Sequence, residues 1–189
     1  ASPRRRDLLQ QIGCHFVVSP TDIDESVLAG EPAEDYVRRM ALEKSLEAWR
    51  VNKRKQLPVL GADTVVVLEG EIFGKPSGQD EAIAMLVKLS GKTHRVLSSV
   101  AMVQGDKQQL VLSETRVTFR QLDGRECLRY WQTGEPSDKA GAYAIQGLGA
   151  VFVSAINGSY SGVVGLPLVE TCQLLAAFDI SWWASVGGS

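Results

Sequence analysis

Three consecutive arginines, Arg4, Arg5 and Arg6, follow Ser2-Pro3 near the start of the sequence. Ser2 suits a helix N-cap, and Pro3 suits the first helical position. A helix start carries unpaired N–H groups and partial positive charge, which favours acidic side chains there. Arginines in their place leave two readings of equal standing. One is a solvated basic turn. The other is an anion cradle, in which guanidinium forks and helix N–H groups together hold phosphate.

Asp63 breaks the apolar run Val59 to Val67. A carboxylate in such a run is costly unless it is paired or bound to a cation, so a functional role is favoured over a strand-bend aspartate bonded to backbone donors. Lys44 interrupts an apolar helical stripe, Val37-Met40-Ala41-Ala48. It either snorkels off its helix or points an ammonium at an anion. Lys75, in Gly74-Lys75-Pro76, is a second candidate cation, against the default of an exposed loop lysine. Asp22, Asp24 and Glu25 form an acidic cluster, which is either solvated or a source of oxygen ligands for magnesium. The histidines, His15 and His94, are isolated, and no Cys/His pair has zinc spacing. A general base in this chain is therefore expected to be a carboxylate. Gly91-Lys92-Thr93 lacks the earlier glycine of a phosphate-binding P-loop, because Leu86 stands there. Asn157-Gly158-Ser159 matches a glycosylation acceptor, but nothing else points to secretion.

These residues need elements to hold them. The spacing predicts a helix from Ser2-Pro3 to Gly13, a short strand over Phe16–Val18, and a polar loop over Ser19–Glu31. A helix follows from about Ala33 to near Lys53. Leu60–Leu68 and Glu71–Phe73 read as strands around the turn Glu69-Gly70. Asp80–Leu89 reads as a helix, and Arg95–Val103 with Leu110–Phe119 as a long hairpin around Gly105-Asp106. Gly124–Trp131 reads as a helix, Pro136–Gly149 as a loop, Val151–Ile156 as a strand and Pro167–Phe178 as the last helix. Helices alternating with hairpins predict an α/β fold with a mixed sheet flanked by helices.

The chain has 189 residues, 44% of them hydrophobic, so one large domain or one domain with two lobes can bury a core. A net charge of −2 argues against a broad nucleic-acid footprint. No run is long and apolar enough to span a bilayer, and no signal peptide is visible. Cys14, Cys127 and Cys172 are few and widely spaced, which fits reduced thiols in a cytoplasmic protein.

An ordered set of motifs runs along almost the whole chain: Ser2-Pro3-Arg4-Arg5, Glu43-Lys44, Gly61-Ala62-Asp63-Thr64, Gly74-Lys75-Pro76, Leu89-Ser90-Gly91, Asp138-Lys139-Ala140-Gly141-Ala142-Tyr143, Ile145-Gln146-Gly147, Asn157-Gly158-Ser159-Tyr160 and Val164-Gly165-Leu166-Pro167. Each motif alone is weak, but the set resembles the Maf family of nucleotide pyrophosphatases. The family pattern opens with a strand ending in Leu-Ala-Ser, ahead of the arginine motif. That strand is absent from this sequence, which is read as a single Maf-like domain over residues 1–189.

The resemblance implies a two-lobed, twisted mixed sheet similar to that of inosine triphosphate pyrophosphatases, with an active-site cleft between the lobes. It implies hydrolysis of a nucleoside triphosphate to monophosphate and pyrophosphate with a divalent cation, magnesium or manganese. By the same analogy Asp63 is the general base. Ser2, Arg4, Arg5, Lys44 and Lys75 bind phosphates, and Glu25 with Asp63 places the metal. Arg4, Thr64 and Gln146 match the branch acting on dTTP and UTP, and modified pyrimidine nucleotides are further candidates. A glutamine amide offers both a donor and an acceptor to a pyrimidine edge. A homodimer is expected, with no nucleic-acid or membrane partner. Maf proteins are also associated with inhibition of septum formation, so the alternative is a nucleotide-binding regulator of cell division with incidental turnover.

Overall fold

The computed structural model describes residues 2–52 and 57–183. Helix α1 (Pro3–Gln11) starts after Ser2, whose extended backbone (φ −75°, ψ 124°) is that of an N-cap, and Pro3 takes the first turn. It stops at Ile12, and Gly13 follows with φ +69°, where a glycine is least strained. Helix α2 (Ala33–Val51) buries Tyr36, Val37, Met40, Ala41, Ser45 and Ala48, the face that its apolar spacing predicts. The expected end near Lys53 lies outside the described residues.

Strands β1 (Val59–Leu68) and β2 (Glu71–Phe73) pair antiparallel, with Val66 opposite Phe73 and Leu68 opposite Glu71. Glu69 (φ +52°) and Gly70 (φ +85°) both have the left-handed backbone that a tight two-residue hairpin turn requires. Helix α3 (Gln79–Leu89) leads to strands β3 (Thr93–Gln104) and β4 (Lys107–Phe119), each longer than the sequence pattern suggests. Asp123 caps helix α4 (Gly124–Gln132) by accepting the Glu126 N–H at 2.8 Å. Strand β5 (Val153–Asn157), helix α5 (Tyr160–Val164) and helix α6 (Leu168–Ala177) complete the order. One sheet, β2-β1-β3-β4-β5, is flanked by these helices.

Two expectations are corrected. Phe16–Val18 forms no strand: Val17 and Val18 are exposed and Pro20 follows, so these apolar side chains have no buried face to drive pairing. Pro136–Gly149 is not a plain loop. It contains 3-10 turns at Glu135–Asp138 and Ala140–Ala142 and leads into a third at Leu148–Phe152.

The chain divides into two compact units, Ala1–Asp63 with Ser98–Ser113 and Gly165–Ser189, and Thr64–Leu97 with Glu114–Val164. The first buries Leu8 and Leu9, Val37, Met40 and Ala41, Val100 to Val103, and Leu174, Leu175 and Phe178. The second is built around aromatic rings packed edge to face. Phe119 lies 4.7 Å from Tyr143 and 4.9 Å from His94 between centroids, and Tyr130 lies 4.9 Å from Phe152.

Candidate active site

In the first unit, β1 passes directly against the backbone of α2. Gly61 permits this, because a Cβ there would stand 2.4 Å from the Ala41 carbonyl oxygen and 2.6 Å from the Ser45 nitrogen. Lys44 precedes Ser45 on the helix, and Asp63 lies two residues beyond Gly61, on the same face of the strand. The crossing therefore brings an ammonium to a carboxylate. Lys44 Nζ donates to Asp63 Oδ1 at 2.7 Å and pairs with Glu25 Oε1 at 2.8 Å. Asp63 is buried, while the Glu25 carboxylate is half exposed.

The acidic loop that carries Glu25 is tied to α2. Tyr36 donates its hydroxyl to the Glu25 carbonyl at 2.8 Å. One turn on, Arg39 grips Glu31 through two nitrogens at 2.6 and 2.7 Å and donates to the Ser26 carbonyl at 2.9 Å. Burial pushes the Tyr36 hydroxyl up to about 12, and the nearby charges of Asp63 and Glu25 add to the rise. Tyr36 is thus a neutral donor beside the two carboxylates.

Arg5 enters the same place from α1, with its Nε donating to the Gly165 carbonyl at 2.8 Å. Burial lowers its pKa, Asp63 works against that, Arg4 lowers it further, and Glu25 again opposes. These four charges are thus close enough to act on one another, and an arginine remains a cation throughout. Asp63, Glu25, Lys44 and Arg5 form one cluster, with Ser2 and Arg4 at the helix start beside it. Its chemistry is a buried carboxylate surrounded by fixed cations, the arrangement that suits a polyphosphate and an activated water.

Among the described residues no group of three or more His, Cys, Asp or Glu side chains converges as a metal site. Two carboxylates do converge on one cation, the Lys44 ammonium. That donor set fits magnesium, which takes one or two protein carboxylates and completes its shell with water and substrate phosphates.

Three residues singled out in the sequence lie in the second unit. Thr64 follows Asp63 on β1 and so points to the opposite face. Lys75 is exposed just after β2, and Gln146 is exposed in the turn before Leu148–Phe152. The segment carrying Lys75 is tied to the Ala140–Ala142 turn upstream of Gln146, because the Gly141 N–H donates to the Gly74 carbonyl at 3.0 Å. The sequence reading passed over Tyr36 and Arg39. Tyr36 had a signal, since Tyr36, Met40 and Lys44 share one helical face at four-residue spacing.

A family model described as Maf-like protein matches residues 1–178. The chain belongs to the Maf family. Among its relatives is a protein of Alkalilimnicola ehrlichii called dTTP/UTP pyrophosphatase, 52% identical over 185 residues that cover 96% of this chain and 91% of the relative. Proteins with the same name come from Hahella chejuensis, 50% identical over 97% of this chain and 92% of the relative, and from Methylococcus capsulatus, 52% identical over 92% and 86%. The Maf match takes in the whole charged cluster and the turn carrying Gln146.

Proposed function

We propose that this Maf protein hydrolyses dTTP and UTP to the monophosphate and pyrophosphate, with Asp63 as general base. The observation that carries the reading is the buried Asp63 carboxylate, held by Lys44 beside Arg5 and Glu25. Asp63 takes the proton of a water whose oxygen attacks the α-phosphorus. The bond from that phosphorus to the bridging oxygen breaks, and pyrophosphate leaves with the electron pair. Arg5, Lys44 and Lys75, with Ser2 and Arg4 at the helix start, bind the phosphates and offset the charge that builds on their oxygens. Magnesium or manganese, held by Glu25 and Asp63 together with the phosphates, supplies further positive charge when bound. Arg4, Thr64 and Gln146 select the pyrimidine, and the names carried by the relatives support that choice.

The same reading places a homodimer in the cytoplasm. Cys14, Cys127 and Cys172 are free thiols, as suits a reducing compartment. No helix among the described residues is long and apolar enough to cross a membrane. A panel of nucleoside triphosphates with magnesium, scored for pyrophosphate against inorganic phosphate, tests the function. The expected outcome is pyrophosphate from dTTP and UTP ahead of purine nucleotides. Release of inorganic phosphate, or equal rates on purines and pyrimidines, would contradict it.

A further inference from the structure

In the second unit a carboxylate and the tyrosine bound to it hold the two ends of the turn that carries Gln146. Glu135 Oε1 accepts the Tyr130 hydroxyl at 2.6 Å and the Gly149 N–H at 3.0 Å, and Oε2 accepts the Leu148 N–H at 2.9 Å. The Tyr130 oxygen in turn accepts the Ala144 N–H at 3.1 Å. Residues on either side of Ile145-Gln146-Gly147 therefore hang from the same pair of side chains. Gly147 lets the turn lie on the carboxylate, since a Cβ there would stand 2.0 Å from Glu135 Oε2. Tyr130 is itself fixed, buried and edge to face with Phe152.

The charge state agrees with this geometry. Burial pushes the Glu135 carboxyl up, but the hydrogen bonds from Tyr130, Gly149 and Leu148 and the nearby Lys139 outweigh it and hold the group below the ordinary glutamate value. Glu135 is a carboxylate at neutral pH, with every bond described above made to a donor. Ala144 and Ile145 are buried, and Gln146 stands exposed at the tip.

We propose that Glu135, acting with Tyr130, is a positioning residue for base selection, which fixes the Ala144–Gly149 turn so that the Gln146 amide meets the pyrimidine edge in one orientation. This rests on the reading of Gln146 as a base contact. A glutamine amide discriminates only when its carbonyl and its NH2 are each aimed at the right partner. A loose turn must be ordered on binding, and it accommodates other bases as readily. Glu135 and Tyr130 act through Gln146 and touch no substrate themselves.

The test compares Glu135→Gln, Tyr130→Phe and Gln146→Ala by kcat and KM on dTTP, CTP and GTP. Inorganic tripolyphosphate serves as a base-free competitor, and thermal unfolding monitors folding. Glu135→Gln puts an NH2 where an acceptor is needed. Tyr130→Phe removes only the hydroxyl and keeps the ring against Phe152, so it reports even if the first variant folds poorly. For both we expect KM for dTTP to rise about tenfold and the preference for dTTP to fall about tenfold, with kcat within about twofold. Tripolyphosphate inhibition should be unchanged, and Glu135→Gln should add nothing on top of Gln146→Ala. Equal weakening of dTTP and tripolyphosphate would mean a general structural role and would overturn the proposal. So would retained preference in Glu135→Gln and Tyr130→Phe while Gln146→Ala loses it, a result that leaves Gln146 as the base contact. Retained preference in all three variants removes the Gln146 reading, and the positioning role with it.

Discussion

Adding one methyl group at Gly61 should disable the candidate site without touching a charged residue. The new Cβ would lie 2.4 Å from the Ala41 carbonyl oxygen, 2.6 Å from the Ser45 nitrogen and 2.9 Å from Ser45 Cβ, whereas ordinary contact begins at 3.4 Å. The two closest atoms are backbone, so no rotamer change relieves the clash. Strand β1 and helix α2 must part by about 1 Å, at an overpacking cost of about 1–3 kcal/mol. For a domain of this size that lowers Tm by about 2–12 °C. The separation opens between Lys44 and Asp63, now 2.7 Å apart. A misplacement of about 1 Å at a reacting centre costs on the order of a hundredfold in rate. Gly61→Ala should therefore keep its fold at 20 °C by circular dichroism and lose about a hundredfold in kcat for pyrophosphate release. Gly124→Ala, where a Cβ meets nothing within 4 Å, is the control and should match the wild type. A Gly61→Ala protein with unchanged Tm and kcat within about threefold of wild type would refute the reasoning.

Two further predictions concern stability and the acidic loop. His94 is buried, its Nε2 is within 2.9 Å of the Tyr143 hydroxyl, and burial pushes its pKa from 6.5 down to about 4. Below its ordinary value the unfolded chain takes up a proton that the folded chain refuses. Stability is therefore full above about pH 6.5 and is lost as pH falls toward 4, by about 3 kcal/mol in all. Urea unfolding across this range should show that slope, and His94→Phe should flatten it; identical slopes would count against a neutral buried imidazole. Tyr36→Phe removes the hydroxyl that holds the Glu25 carbonyl. It should cost about 1 kcal/mol, speed amide exchange around residues 24–28 and raise the magnesium requirement, and unchanged exchange would separate Tyr36 from the loop.

Much of the fold was legible because the local signals agreed with the packing. The Ser2-Pro3 start, the Glu69-Gly70 and Gly105-Asp106 turns and the apolar stripe of α2 each appear where local chemistry places them. Asp63 and Lys44 stood out because each interrupts an apolar pattern. Their meeting did not show, because it depends on Gly61 bringing strand and helix backbones together, and glycine carries no side-chain signal for that. The failed strand at Phe16–Val18 has a similar origin, since propensity cannot tell whether a partner edge exists. Glu135 was unremarkable beside Pro136. Its partners, Tyr130, Leu148 and Gly149, come from different segments and meet only in the folded unit.

The central claim is that Asp63 activates water. Asp63→Asn tests it most directly, because it keeps the shape and removes the base. Hydrolysis of dTTP is followed by pyrophosphate release, and binding of dTTP to the same preparation by calorimetry. The account predicts a fall in kcat of at least about a hundredfold, the lower bound for loss of a positioned general base, with binding within about threefold. A pure nucleotide-binding regulator would show little change in either measurement. Pyrophosphate release from Asp63→Asn at the wild-type rate would contradict the account.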